Sequence, residues 1–172
     1  MKIAVISDTH IRREGEWISP GLEKVLKETG FIVHCGDFEI FSAYARFKKL
    51  GELIAVHGNM DTGELKRELP AQVTFAAAGW KIGVIHGDGP PAGLEARVAA
   101  ALPGVDVILY GHSHRPRNEV INGVLFFNPG SPTDRRFALY NSYGIIELGP
   151  DGPRGEIIRL DPHAAFTGTR WK

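Results

Sequence analysis

Short apolar runs alternate with amphipathic segments up to residue 56, and this alternation constrains the fold more than any other feature. The runs typical of buried strands are Lys2–Ser7, Phe31–Cys35 and Leu53–Val56. Ser19-Pro20 predicts a helix start after the first run, because serine caps helix N-termini and proline fits the first helical position. Ala43, Phe47 and Leu50 recur at helical spacing before Gly51, which predicts a second helix that ends at this glycine. The chain therefore opens as a βαβαβ unit.

From residue 73 onward, paired apolar runs become frequent, as is typical of antiparallel hairpins. Turn signals at Gly79-Trp80, Asn122-Gly123 and Pro150-Asp151-Gly152 each separate two runs. The runs are Val73–Ala78, Lys81–Ile85, Val105–Tyr110, Glu119–Ile121, Val124–Phe127, Tyr143–Leu148 and Gly155–Leu160. Further helices are predicted over Gly63–Leu69 and through Leu94, Val98 and Leu102. We expect an α/β fold in which mixed sheets have helices outside them.

Length and composition indicate one globular domain over residues 1–172, with 161–172 as a loosely docked tail. The 20 basic and 20 acidic residues balance, so nothing indicates generic binding to nucleic acid or to an anionic membrane. Cys35 is the single cysteine, which excludes an intrachain disulfide. No apolar stretch approaches the roughly 20 residues of a membrane span, and Asp8 comes too early for a signal peptide. We therefore expect a cytoplasmic protein.

Polar side chains follow five of the predicted strands at the point where each strand ends. In chain order they are Asp8 and His10, Asp37, Asn59, His86, and finally His112 and His114. Glycine stands beside the polar group in four of these five turns, and it lets the backbone turn sharply and approach a ligand. If the strands share one sheet, their carboxyl ends face a single crevice, which is the usual ligand site of open α/β sheets.

His112 and His114 close this series one residue apart, in a turn that Gly111 opens. Residues two apart in an extended segment point to the same side, so two imidazoles would aim at one point. Each polar residue alone is more often an ordinary turn or strand-end residue. Asp37, for example, can form an Asx-turn, and Asn59 can fill a left-handed position. Separate explanations do not account for five coincidences at the same end of successive strands, so we favour a metal site.

The predicted cluster offers imidazole nitrogen, carboxylate oxygen and amide oxygen as donors. Such donors suit Mn²⁺, Fe, Zn²⁺ or Ni²⁺ better than Ca²⁺, and with no thiolate near except Cys35 they do not indicate an iron–sulfur cluster. Seven ligands are too many for one transition metal but suit two ions that share a carboxylate. Two ions about 3.5–4 Å apart can hold a bridging hydroxide and clamp both sides of an in-line displacement at phosphorus. We expect two divalent ions, with Mn²⁺ as the first choice.

In chain order the motifs are D-x-H, G-D, G-N-x-D, H-G-x and G-H-x-H, over residues 8–114. This order resembles the calcineurin-like metallophosphoesterase superfamily. The small size and the segment Asn128-Pro129-Gly130-Ser131 resemble its YfcE-like phosphodiesterase branch. The resemblance implies a four-layer sandwich of two mixed β-sheets flanked by helices. It also implies a dinuclear phosphodiesterase that hydrolyses a small phosphodiester by in-line attack of a metal-bridging hydroxide.

Carried over by position, the resemblance divides the candidate ligands between two ions. The ligands of the first ion would be Asp8, His10, Asp37 and His114. The ligands of the second ion would be Asp37, Asn59, His86 and His112, so that Asp37 bridges the pair. The resemblance also gives catalytic roles to Asp37, Asn59 and His86. On this assignment His112 and His114 serve different ions.

Two positions depart from the family pattern. Many relatives have histidine after the asparagine of G-N-x-D, where it protonates the leaving group or binds substrate, but this chain has Met60. The third residue of H-G-x, histidine in many members, is Asp88. Both changes argue against transferring the substrates of the protein-phosphatase or nuclease branches, although every predicted metal ligand is present.

Substrate contacts are expected from residues that flank the motif turns. The candidates are Arg12, Arg115 and Asn128, because guanidinium groups bind phosphate in bidentate fashion and the turn after Asn128 should pack near the metals. The arginines expected to be mainly solvated are Arg13, Arg135 and Arg136. The histidines expected outside the ligand set are His34 in a strand, His57 beside the third strand end, and His163 in the tail.

Two other functions stay open. The first is a phosphomonoesterase of the same fold. The second is a non-catalytic scaffold, because the YfcE-like branch resembles a retromer subunit that uses this fold mainly to bind other proteins. A scaffold is free to lose ligands, and no ligand position is missing here, so the enzyme is favoured.

Overall fold

The computed structural model describes residues 1–134 and 136–160, which form ten strands and four helices. The strands are β1 (Lys2–Ile6), β2 (Phe31–His34), β3 (Glu52–Ala55), β4 (Gln72–Ala77), β5 (Trp80–Ile85), β6 (Val107–Leu109), β7 (Arg117–Ile121), β8 (Val124–Asn128), β9 (Ser142–Gly149) and β10 (Gly152–Arg159). The helices are α1 (Pro20–Thr29), α2 (Phe41–Phe47), α3 (Gly63–Glu68) and α4 (Leu94–Ala101). Each strand and helix that the sequence predicts is present. The predicted tail over residues 161–172, which contains His163, lies outside the described residues, as does Arg135.

The strands form two mixed five-stranded sheets. The first has the order β10-β9-β1-β2-β3, and its members β1, β2 and β3 are parallel. The second has the order β4-β5-β6-β8-β7, and its members β5, β6 and β8 are parallel. The hairpin partners β4, β7 and β10 are antiparallel to their neighbours and lie at sheet edges. The expected βαβαβ opening and the later hairpins are therefore confirmed.

The two sheets pack face to face, and helices cover their outer faces. Alternation along β1 shows this layering, because Ile3 and Val5 join the core between the sheets while Ala4 and Ile6 join the core under the helices. Helices α1, α2 and α3 pack on the first sheet, and α4 packs on the second. The result is the four-layer sandwich that the resemblance implies. No helix in the described ranges is long and apolar enough to cross a membrane.

Two local features differ from the prediction. The first hairpin turns at Ala78-Gly79, one residue early, because these residues take the positive φ values (48° and 86°) of a type I′ turn. Trp80 instead begins β5, where its indole donates to the Gly149 carbonyl at 3.1 Å. Helix α2 ends at Phe47 instead of Gly51. The N–H groups of Lys49 and Leu50 donate to carbonyls three residues earlier, which is the hydrogen-bond pattern of a tighter 3₁₀ turn.

The five strands that precede the polar turns do not share one sheet. Strands β1, β2 and β3 belong to the first sheet, whereas β5 and β6 belong to the second. Their carboxyl ends still meet, because the two sheets are stacked and the parallel strands of both end on the same side of the sandwich. The turns after these strands, rather than the edge of a single sheet, build the site.

Candidate metal centre

The seven predicted ligand residues come together where these strands end. One group of candidate ligand atoms comes from Asp8, His10 and His114, and a second from Asp8, Asp37 and His86. In the first group, His114 Nε2 is 3.1 Å from His10 Nε2 and 3.3 Å from Asp8 Oδ1. In the second group, His86 Nε2 is 3.3 Å from Asp37 Oδ2 and 3.9 Å from Asp8 Oδ1. The two groups therefore share the Asp8 carboxylate.

Asn59 connects the second group to His112. Its Oδ1 is 3.1 Å from His86 Nε2 and 3.0 Å from His112 Nδ1. His112 thus lies with the second group, while His114 lies with the first. The expectation that these two imidazoles aim at one point is wrong, because both residues have positive φ (68° and 55°) and the alternation of an extended segment does not apply.

The outer ring nitrogens of the four histidines all contact acceptor oxygens. The contacts are His10 Nδ1 with Glu39 Oε1 (2.7 Å), His86 Nδ1 with the Cys35 carbonyl (2.7 Å), His112 Nε2 with the Gly89 carbonyl (2.7 Å) and His114 Nδ1 with Asp134 Oδ2 (2.6 Å). Because an ionised carboxylate or a carbonyl only accepts hydrogen bonds, each outer nitrogen carries a proton. In a neutral imidazole the inner nitrogen then presents a lone pair to the site.

These inner lone pairs face other acceptors. His10 Nε2 and His114 Nε2 face each other, and His86 Nε2 faces the Asp37 carboxylate and Asn59 Oδ1. Acceptors at such distances repel unless a proton or a metal cation lies between them. Imidazole nitrogen with carboxylate and amide oxygen is also a donor set for divalent transition metals. The residues present therefore fit a metal centre.

Five of the seven residues have backbone conformations that side chains rarely adopt. Their φ values are 54° for Asp8, 44° for His10, 60° for Asp37, 68° for His112 and 55° for His114. Each such conformation costs on the order of 1 kcal/mol or more and persists only where the surrounding structure holds it. Concentrated strain of this kind is typical of functional sites. Here it lets each chain turn immediately after its strand and direct its polar side chain inward.

Asp61 braces the turns that follow β2 and β3. Its carboxylate accepts N–H groups from Asp37 (3.1 Å), Glu39 (2.7 Å) and Gly58 (2.7 Å). A side chain at position 58 would overlap the Asp37 carboxylate, so only glycine allows this close approach. Met60 adds a backbone N–H to Asp37 Oδ1 at 2.8 Å. The Asp37 carboxylate is therefore held in place from both turns.

Asn128 stabilises the turn that carries the two later histidines, and Ser131 stabilises the turn that carries Asp8. Asn128 Nδ2 donates to the Gly111 carbonyl at 2.7 Å, and its Oδ1 accepts the Gly130 N–H at 2.9 Å. Ser131 Oγ donates to the Asp8 carbonyl at 2.7 Å. Asn128 has no exposed surface. The substrate contact expected of it is therefore corrected to a supporting role, because its amide is buried and already bonded.

The two candidate arginines differ in their surroundings. Arg12 Nε donates to both Glu39 oxygens, at 3.0 and 3.2 Å, and Glu39 in turn contacts His10. Arg12 therefore supports the first group of ligands. Arg115 is exposed, and its guanidinium forms no hydrogen bond or ion pair within the described ranges. Of the two candidates, Arg115 is therefore the one whose guanidinium is not already bonded within the described ranges.

Two of the three histidines expected outside the ligand set, His34 and His57, make other contacts, and the third, His163, lies outside the described residues. His34 is fully buried, its Nε2 contacts Thr9 Oγ1 at 3.0 Å, and its ring stacks on Phe38. Burial holds the pKa of His34 well below its usual value, so the ring is neutral and structural. His57 is half-buried and contacts the Gly58 carbonyl at 3.4 Å.

Glu39, Asp61 and Asp134 are residues that the sequence reasoning missed. Glu39 stands two residues after Asp37, and Asp61 stands two residues after Asn59. Their closeness to predicted ligands in the sequence could have indicated that they lie near the site. Asp134 offered no comparable signal. It meets His114 across 20 residues of sequence, and only the packing of the later loop brings the two side chains together.

Burial and carboxylate contacts act in opposite directions on the histidines. Burial lowers the pKa of His86, but its contacts with Asp37 and Asp8 raise that pKa to about 9. Burial likewise lowers the pKa of His114, and its contacts with Asp8 and Asp134 raise it to about 9. Burial raises the pKa of Asp8, but His114 and His86 bring it below its usual value. Without metal, the site therefore holds protons where cations would bind.

Metal affinity should rise with pH up to about 9. Because His86 and His114 have pKa values of about 9 without metal, they are protonated below that pH, and metal binding must displace their protons. Above it no proton needs to leave, so the affinity levels off. Titration of Mn²⁺ against a competing chelator at successive pH values measures this dependence. An affinity that does not change with pH would contradict it.

Glu39→Gln and Asp134→Asn should each weaken metal binding about 10- to 100-fold, because carboxylates behind ligand histidines fix the tautomer and raise ligand basicity. Glu28→Gln is the matched control, since Glu28 is exposed on α1 and pairs only with Lys24 among the described residues. Calorimetric titration of the metal-free variants with Mn²⁺ measures the effect. Affinities equal to that of Glu28→Gln would show that neither carboxylate supports metal binding.

Comparison with known proteins places the chain in a family. The profile of the calcineurin-like phosphoesterase superfamily domain matches residues 1–151. A probable metallophosphoesterase of Methanocaldococcus jannaschii is 37% identical over 142 residues, which cover 81% of this chain and 72% of that protein. A phosphodiesterase of the same organism is 27% identical over 147 residues, which cover 76% of this chain and 83% of that protein.

Solved structures share the fold of this chain. The solution NMR structure of a Thermotoga maritima protein superposes with a TM-score of 0.72 at 32% identity, covering 92% of this chain and 99% of that one. Vacuolar protein sorting 29 of Entamoeba histolytica, in complex with Zn²⁺, superposes with a TM-score of 0.68 at 20% identity, with coverage of 92% and 99%. The second likeness shows the fold alone. With the family profile and the first relative, the conclusion is that the chain belongs to the calcineurin-like phosphoesterase superfamily and is a metal-dependent phosphoesterase.

Proposed function

We propose that the protein is a dinuclear metal-dependent phosphodiesterase that acts on a small diester. The observation that supports two ions is the pair of adjoining ligand groups whose inner nitrogens face acceptors. His86 Nε2 and His112 Nδ1 both contact Asn59 Oδ1, apart from the pair formed by His10 and His114. A second cation at that point would take the place of the proton that His86 holds without metal.

The proposed ligands are those that the resemblance implies. They differ from the two groups in one respect, because Asp8 is common to both groups, whereas the proposal lets Asp37 bridge. The first ion would be held by Asp8, His10, Asp37 and His114, and the second by Asp37, Asn59, His86 and His112. Mn²⁺ is the proposed metal, and Fe, Zn²⁺ and Ni²⁺ are the alternatives that the donors allow. When bound, the two ions would supply a hydroxide nucleophile at neutral pH and positive charge for the phosphoryl oxygens.

The remaining side chains orient this centre. Glu39 and Asp134 fix the tautomers of His10 and His114, so that their Nε2 atoms point inward. Asp61 holds the backbone around Asp37. Arg115 is the proposed contact for a phosphoryl oxygen, because its exposed guanidinium can form two parallel hydrogen bonds.

The related archaeal protein that is named a phosphodiesterase supports a diester as the substrate. A diester carries one negative charge, whereas a monoester carries about two near neutral pH. The carboxylates near the four histidines are Asp8, Asp37, Glu39, Asp61 and Asp134, and the nearby Arg12 is paired with one of them. Two divalent cations and Arg12 would offset these five negative charges, so the preference for a diester rests on the relative and not on charge.

With Mn²⁺ bound, kcat/KM should be higher for bis(p-nitrophenyl) phosphate than for p-nitrophenyl phosphate, because the related archaeal protein is named a phosphodiesterase. Both esters release p-nitrophenol, so one absorbance assay compares them directly. Asp37→Asn, prepared in parallel, should abolish both activities and so exclude a contaminating phosphatase. The reverse order of kcat/KM would make the protein a phosphomonoesterase. If protein that holds both ions hydrolyses no diester, the non-catalytic scaffold becomes the favoured function.

A further inference from the structure

Exposed apolar side chains border the candidate metal centre. The exposed fraction is 51% for Met60, 70% for Phe137 and 84% for Leu139. Met60 directly follows the candidate ligand Asn59, and the other two residues lie in the loop that carries Asp134. Among the residues described, the other large apolar side chains with such exposure are Met1 and Val120. Apolar surface beside a few convergent polar groups is typical of a ligand site.

The loop with Phe137 is tied to a candidate ligand. Asp134 Oδ2 accepts the N–H groups of Phe137 at 2.9 Å and Ala138 at 3.1 Å. The same oxygen contacts His114 Nδ1 at 2.6 Å. Asn141 Nδ2 donates to the Asp134 carbonyl at 2.6 Å and closes the loop from its other end. The backbone of Phe137 is therefore positioned relative to His114.

The ring of Phe137 contacts His114 edge to face. The two ring centroids are 5.8 Å apart, and the ring planes are inclined by 79°. This contact leaves most of the Phe137 ring exposed, and an exposed phenyl ring can stack on another flat ring. The flat, apolar ring of Phe137 is therefore separated from the proposed ions only by the side chain of His114.

In-line displacement determines which part of a diester lies near this ring. The nucleophile and the leaving group are on opposite sides of phosphorus. Because the ligands surround the side from which the nucleophile comes, the leaving group points away from them. The retained ester group is roughly perpendicular to the line of displacement, and on the side of His114 it would reach the adjoining ring of Phe137.

We propose that Phe137 is a specificity residue that stacks on an aromatic retained ester group, so that aryl diesters are preferred over alkyl diesters. This inference rests on the proposed phosphodiesterase function. Stacking on an exposed aromatic side chain changes binding by about tenfold. The substrate class is therefore a phosphodiester with a flat aromatic ring joined directly to a non-leaving oxygen.

The test varies the retained group at constant leaving group. Wild type and Phe137→Ala are assayed with Mn²⁺ on phenyl p-nitrophenyl phosphate and methyl p-nitrophenyl phosphate. The kcat/KM ratio of phenyl to methyl ester should fall about tenfold in Phe137→Ala, and Phe137→Trp should restore it. Val120→Ala, which removes an equally exposed apolar side chain from β7, should keep the wild-type ratio. An unchanged ratio in Phe137→Ala, or an equal loss in Val120→Ala, would overturn the inference.

A binding measurement separates this inference from the proposed function. Calorimetric titration with phenylphosphonate and methylphosphonate requires no turnover. Phe137→Ala should lose about tenfold in affinity for the phenyl compound relative to the methyl compound. If that loss occurs but neither diester is hydrolysed by wild type, the proposed function fails and the stacking surface stands. If diesters are hydrolysed but the relative affinity is unchanged, the stacking surface is refuted and the proposed function stands.

Discussion

Asp37→Ala should lose both metal ions and lower kcat/KM at least about a thousandfold, because several kcal/mol of transition-state stabilisation depend on them. Asp37 Oδ2 is 3.3 Å from His86 Nε2 and 3.9 Å from His10 Nε2, so this carboxylate lies between the two groups. Metal analysis of the purified variant after gel filtration in metal-free buffer measures the first effect. Steady-state assay on bis(p-nitrophenyl) phosphate measures the second.

Two companion variants make this result specific. Asp88→Ala removes an exposed carboxylate that pairs with Arg97, also from a motif turn, and should keep both ions and full activity. Asp8→Asn should lose mainly the first ion, although Asp8 Oδ1 is also within 3.9 Å of His86 Nε2. Loss of both ions in Asp8→Asn with retention of one in Asp37→Ala would make Asp8 the bridging residue.

The hydrolysis rate should depend steeply on the pKa of the leaving group, because no acid within residues 1–134 and 136–160 is placed to protonate the departing oxygen. A positioned acid is typically worth about 10²–10⁴-fold in rate. Met60 has a thioether with no proton to give, and Asp61 is buried with both oxygens occupied by backbone N–H groups. Asp88 is exposed and paired with Arg97. Activated aryl diesters should therefore be cleaved well and alkyl diesters much more slowly.

Met60→His should accelerate the poor leaving groups selectively, by about 10²-fold or more if the ring reaches the departing oxygen. Met60 is half exposed, so an imidazole fits without repacking the core. A series of substituted phenyl diesters, assayed with saturating metal, compares the slopes of wild type, Met60→His and the control Met60→Leu. A shallow slope in wild type would mean that an acid is present, and His57 would be the next residue to replace.

The strands and turns of this protein were predictable because their signals are local. A β-branched run such as Val105–Tyr110 predicts a buried strand from its own composition, and Asn122-Gly123 predicts a type I′ turn from the φ values these residues tolerate. The Gly79-Trp80 turn was placed one residue late because glycine fits either central position of such turns. Only strand pairing between Ala77 and Trp80 decides between them.

The candidate ligands were predictable as a set, but their geometry was not. Polar residues after successive strands identified all seven positions, since parallel strands bring their carboxyl ends together. The direction of His112 and His114 depends on positive φ values that packing imposes on these residues. That part of the site could not be inferred from spacing.

The amino-acid sequence by itself determined the order of strands and helices, the residues at the strand ends and the donor chemistry, because these depend on neighbours along the chain. Tertiary structure decided that the five strands belong to two stacked sheets and that Asp134 stands behind His114. It also decided that Asn128 is buried and that the ring of Phe137 is exposed beside His114. These features depend on contacts between segments far apart in sequence, whose distances are set only when the sheets pack.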